Sequence, residues 1–274
     1  MKLNKSAHLF SILLVFCVQS SIATANEDWP YSVRLLSTGY IATSFDVDPL
    51  LILSNPSLLH GVEDWSVVSS YARPYGLKEL HTTGVGSAKR LRAIVVVVGM
   101  TQFGFELYKE QKLFCGGTFP IVANFHLGFT MFYHHTQIKN YGQSNSMTFD
   151  IGWNYKINQK ATITGAIHNI HRATIGQDKH PLPQILRMGL QYQPLKQINT
   201  SVELYKDLLF EPEMRFGVEA KTIESVYLRF GWTRNPVRFT SGIGLKFFGL
   251  SFDYGFSQHQ VLGYTHAVGL IYSR

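Results

Sequence analysis

From Trp65 onward the chain repeats one pattern: apolar residues alternate with small or polar ones at a period of two. "MTFDIGWNYKI" sets Phe149, Ile151, Trp153 and Tyr155 against Asp150, Gly152, Asn154 and Lys156. "MRFGVEAK" sets Met214, Phe216, Val218 and Ala220 against Arg215, Gly217, Glu219 and Lys221. "LRMGLQY" and "VYLRFGW" repeat the pattern, and "FHLGFTMFYH" breaks it only at Phe132. Period two is the signature of strands with one apolar and one polar face. The segments predict strands starting near residues 66, 79, 92, 110, 122, 146, 161, 184, 197, 213, 224, 237, 249 and 264. That is about fourteen, with twelve as the alternative count, and bacterial membrane barrels favour even numbers.

An oily face can be buried in a soluble sandwich or turned toward lipid, and alternation alone does not separate the two. The connections do. "PLKQ", "KTIE", "INQK" and the Phe248-Gly249 break are short, whereas "HRATIGQDKHPLPQ", "TQIKNYGQSN", "DLLFEPE" and "SQHQVLGY" are longer, in alternation along the chain. Sorting of turns by side is the topology of an outer-membrane barrel with short periplasmic turns. The polar faces carry Asp150, Lys156, Arg187, Glu203, Arg215, Glu219, Lys221, Arg229, Lys246 and Asp253, both signs interleaved so that they can pair inside a narrow lumen. Charged residues make up 16% of the chain, below the ~25% usual for soluble domains. Aromatics reach 14%.

The N-terminus reads as an export signal. Lys2 and Lys5 precede the apolar run Leu9–Val18, and Ala23-x-Ala25 follows, so residues 1–25 have the order of a peptide cleaved before Asn26. The run is shorter than the ~20 residues a spanning helix needs. With Lys2 and Lys5 removed, the formal charge drops from +7 to +5, and no basic block suggests nucleic acid as a partner. Only Cys115 is left, which excludes a disulfide framework. Residues 26–65 are too apolar for a free linker and too irregular for a strand, so they are expected to form a plug inside the barrel formed by 66–274. In "LRAIVVVVGM" the expected inward set is Ile94, Val96 and Val98, an apolar lumen patch that needs the plug or an apolar ligand against it. Plug contacts are expected from Asn55, Pro56 and Leu58.

"STGYIATSFDVDPLLILSNPSLL", "YARPYGLKEL", "FGFELYKE" and the terminal "FDYGFSQHQVLGYTHAVGLIYS" resemble segments of the PorV/PorQ-type outer-membrane proteins. These are related in architecture to the FadL hydrophobic-compound transporters. The resemblance implies a fourteen-stranded barrel with an N-terminal plug, acting in passage of apolar molecules or in type IX secretion. Two positions depart from the pattern. Asn55-Pro56-Ser57-Leu58 stands where such proteins commonly read Asn-Pro-Ala-Gly, and Arg274 stands where an outer-membrane barrel commonly carries an aromatic.

His134-His135 and His168-x-x-His171 have the residue types of a metal site, but in strands these spacings point to opposite faces. No metal site and no cofactor is therefore expected. No Gly-x-Ser-x-Gly elbow or phosphate loop occurs. The main expectation is a non-enzymatic barrel in the outer membrane of a Gram-negative-type bacterium, surrounded by lipid, for passage or binding of apolar small molecules. The alternative is a secretion component that binds secretion machinery or exported proteins. A lipid-modifying barrel enzyme is the remote third reading.

Overall fold

The computed structural model describes residues 29–41, 48–176 and 178–274. The signal-peptide reading, the Asn26 start and the acidic stretch around Asp46 lie outside them. The first half of the sheet comprises β1 (Trp65–Arg73), β2 (Thr82–Leu91), β3 (Ile94–Gly104), β4 (Tyr108–Val122), β5 (Phe125–Ile138), β6 (Gly142–Lys156) and β7 (Ala161–His168). A small ribbon, β8 (Thr174–Ile175) with β9 (His180–Pro181), interrupts the sequence of strands. The second half comprises β10 (Ile185–Leu195), β11 (Ile198–Asp207), β12 (Glu213–Ile223), β13 (Val226–Arg234), β14 (Arg238–Phe247), β15 (Leu250–His259) and β16 (Gly263–Ser273).

β1–β7 and β10–β16 pair antiparallel, each with its neighbour, into a closed fourteen-stranded barrel. The seam joins β1 to β16 in register from Ser66↔Ser273 to Arg73↔His266. Closure leaves no unpaired sheet edge, which is what a strand needs to cross lipid. The predicted alternation holds on β5, β6, β10, β12 and β13. Phe129 and Phe230 point out, 48% and 58% exposed, while Thr130, Asp150, Arg187, Arg215 and Arg229 point in and are buried. An apolar belt of this extent has no place in water. With closed backbone pairing it makes the chain an outer-membrane barrel.

Tight turns at 92–93, 123–124, 196–197, 224–225 and 248–249 gather at the end where β1 begins, the periplasmic end. The opposite end carries the longer segments 74–81, 169–184 and 208–212. Two of the expected long loops are short, at 139–141 and at 260–262. β5 and β6 continue to 138 and from 142, because the polar stretch Gln143–Ser146 goes on pairing with β5 above the membrane band. β4, β5 and β6 therefore run 15, 14 and 15 residues, beyond the ~9–11 that crossing requires.

Residues 29–41 and 48–62 lie inside the barrel. Helix α1 (Val33–Ser37) starts at Ser32, whose Oγ accepts from Leu35 N. Two 3-10 turns follow, Pro49–Leu53 and Pro56–Gly61. Each begins on a side-chain cap, Asp48 and Asn55, followed by the proline that fits the first helical position. Leu50, Ile52, Leu59 and Val62 share one core with the wall residues Val68, Ala88, Val95, Val97, Phe114 and Phe132.

This core corrects the expected phase of β3. Val95 and Val97, each 1% exposed, face the plug, and Val98 is 59% exposed on the outer face with Ile94 and Val96. Four consecutive valines give no alternation from which to read a phase. Thr101 and Phe103, buried further along the strand, share the parity of Val95 and Val97 and set it. The plug leucine in the core is likewise Leu59 rather than Leu58, which is half-buried.

Candidate functional site in the barrel lumen

The plug is seated by polar contacts to wall backbone. Asn55 accepts from Ser57 N at 2.9 Å and Ser57 Oγ at 2.8 Å through Oδ1, which fixes the turn. Its Nδ2 donates to the Gly165 carbonyl at 3.1 Å and to the Trp153 carbonyl at 3.4 Å. Thr118 Oγ1 donates to the Pro56 carbonyl at 2.6 Å. Inward glycines make the approach feasible: a side chain at Gly128 would overlap the Pro56 carbonyl, and one at Gly152 would overlap the Asn55 amide. Asn55 and Pro56 thus fasten the plug to β4–β7. Near the periplasmic end His60 stacks on His126 at 4.6 Å.

The opposite wall is polar. Asp253 accepts from Arg34 Nε of the plug at 3.0 Å and from Arg229 Nη1 at 2.6 Å, and Arg229 Nε donates to Glu219 at 2.5 Å. A second chain runs Arg187–Glu203 at 2.7 Å and Arg215–Glu213 at 2.9 Å. Arg187 and Arg215 also donate to the Tyr40 carbonyl, at 2.7 and 3.1 Å, where the plug backbone turns through the left-handed region. Arg215 and Arg229 are each 1% exposed. Buried charges persist only when paired and hydrogen-bonded, and here the pairs bridge wall and plug. Seven of the expected lumen charges, Asp150, Arg187, Glu203, Arg215, Glu219, Arg229 and Asp253, are buried inside. Lys156 is not: it ends β6 at the periplasmic rim, has the inward parity, and is exposed because the wall stops there.

Arg34 was not among the expected site residues. It is the one charged residue in 29–41, and an isolated cation in an apolar segment that is to be buried calls for an acid opposite it.

Between the apolar and charged halves a cavity of about 110 Å³ remains, toward the outer end. Tyr31, Leu35, Leu53, Phe132 and Ile185 supply apolar surface, and His134, Asp150 and His168 supply polar groups. Trp29, also in the lining, stacks on Phe103 with centroids 3.9 Å apart. Leu182 and Pro183, from the segment that carries β8 and β9, complete the wall. The volume is of the order of the ~150 Å³ apolar cavity known to take up benzene. The histidines do not gather on a metal: among the described residues no cluster of three or more His, Cys, Asp or Glu side chains forms a cation site.

No protein-family model and no curated protein matches the sequence. Solved structures do match the fold. The toluene transporter TbuX of Ralstonia pickettii superposes with a TM-score of 0.64 at 10% identity, covering 88% of this chain and 96% of that one. The toluene transporter TodX of Pseudomonas putida gives 0.62 at 10% identity, covering 88% and 96%. A FadL homologue of Pseudomonas aeruginosa gives 0.61 at 10% identity, covering 88% and 98%. These likenesses do not single out the PorV/PorQ branch, and none of them supports the secretion reading. The chain has the fold of the FadL-type barrels.

Proposed function

We propose that this chain is an outer-membrane channel for small apolar molecules, one ring in size, with residues 26–65 as its plug, 66–274 as its barrel and 1–25 as the export signal. The observation that carries the reading is a lumen filled by an apolar plug, with a mostly apolar cavity of about 110 Å³ between plug and wall. A general aqueous pore has no use for such packing. The fold likeness to proteins described as toluene transporters supports the same reading.

Uptake of radiolabelled toluene by cells whose outer membrane excludes it, with and without this chain, tests the proposal. Uptake is expected to rise several-fold, while liposomes holding the intact protein swell no faster in sugars than protein-free ones. Deleting residues 31–60 is expected to permit sugar swelling. Fast swelling with the intact protein, or no gain in toluene uptake, would overturn the reading.

A further inference from the structure

The cavity is not uniformly oily, and one of its polar groups is left over. His168 closes β7 and is 9% exposed. Its Nδ1 lies 2.6 Å from Asp150 Oδ2, while Asp150 Oδ1 accepts from the Asn169 backbone N at 2.9 Å. A carboxylate only accepts, so Nδ1 carries the proton and donates. Both carboxylate oxygens are engaged, which fixes the ring's orientation and tautomer as a carboxylate does for a functional histidine. His168 is part of the cavity wall, and its other nitrogen, Nε2, is buried without a hydrogen-bond partner among the described residues.

Trp29 Nε1 and Ser54 Oγ in the same lining are also buried without a partner among the described residues, but the indole N–H can only donate, and several other polar groups here are occupied. His134 Nε2 is 2.8 Å from Thr148 Oγ1, and Arg187 is held by Glu203 and Tyr40. A buried nitrogen lone pair, held in place on a residue of the cavity wall, is a hydrogen-bond acceptor in want of a donor.

We propose that the cavity selects small rings bearing a hydroxyl, the phenol class, over plain hydrocarbons, and that His168 Nε2 reads the hydroxyl proton. The inference rests on the apolar-channel reading and refines its substrate class. The ring fills the space bounded by Tyr31, Leu35 and Phe132, and the hydroxyl donates to Nε2. Asp150 is a positioning residue: it touches no ligand and holds the imidazole.

Titration calorimetry of the full chain in detergent with phenol, anisole and toluene tests this. Anisole keeps the ring oxygen and lacks the proton. Phenol is expected to bind roughly tenfold more tightly than either of the others, the scale of one buried hydrogen bond. His168→Phe keeps a ring and removes the acceptor, and is expected to abolish the preference, so that phenol and toluene bind the variant equally. The wild-type comparison decides by itself should the variant not assemble. Equal binding of the three by the wild-type chain, or an equal loss of all three in His168→Phe, would overturn this inference and leave the channel reading standing. Absence of binding by all three would overturn both.

Discussion

At Gly128 the space a side chain would need is already taken by the Pro56 carbonyl. Gly128→Val is therefore expected to push the 56–61 turn off the wall, at the ~1–3 kcal/mol typical of overpacking. Liposome swelling in small sugars should rise while the barrel stays intact. Asn55→Ala removes the turn's cap and both bonds to the β6 and β7 carbonyls. Loss of a cap costs ~1 kcal/mol and each further buried bond a similar amount. Amide exchange over residues 56–62 should quicken at least tenfold, with exchange in the strands unchanged. Arg229→Met removes a cationic partner from both Glu219 and Asp253 in a dry lumen. Breaking a buried pair on one side costs ~3–5 kcal/mol, whereas Arg229→Met combined with Glu219→Gln should recover much of the loss in denaturant midpoint.

At the scale of a strand, β3 is the sharpest test. Val98→Arg places a charge on the lipid face and is expected to cost ~2–4 kcal/mol near the midplane. Val97→Arg, one residue away, would put an unpaired charge among Leu50, Ile52 and Leu59 and should displace the plug. A sugar-swelling assay separates them: Val97→Arg leaks and Val98→Arg does not. The same strand shows where sequence reading stops. Where polar residues punctuate one face, as at Asp150, Gly152 and Asn154, the inward face is legible from alternation alone. In Ile94–Val98 both faces are apolar, one for lipid and one for the plug, so the phase depends on partners distant in sequence. The inward glycines were visible as small wet-face residues, but their meaning as the plug's footprint appears only when Pro56 and Asn55 lie against them. His168 and Asp150 were each legible in the sequence, Asp150 as an inward charge and His168 beside His171, but their pairing was not.

Taken whole, the barrel carries two linings. The β2–β6 side meets the 3-10 turns through an apolar core, and the β10–β15 side meets α1 and Tyr40 through paired charges. Removing the plug leaves the strand ladders untouched, and wall pairs such as Arg229–Glu219 and Arg187–Glu203 keep their partners. The form lacking 31–60 should therefore still migrate faster unheated than boiled, the behaviour of a closed barrel, while conducting small solutes. Loss of that shift would mean that the plug's core is part of what holds the wall together.

The seam between β1 and β16 joins Ser66 to Ser273, partners about as far apart in the barrel sequence as two residues can be. Contacts of that separation form late, because a long loop has to close first. The plug immediately precedes β1, so it is made before the wall and enclosed by it. The molecule assembles like a ship built in its bottle: the contents are in position when the glass is sealed. A barrel sealed empty and then offered residues 29–62 as a separate peptide would have to draw that chain in through an end of the barrel, past the buried Arg187, Arg215 and Arg229. Such a peptide is expected to restore closure far more slowly than the intact chain attains it, if at all.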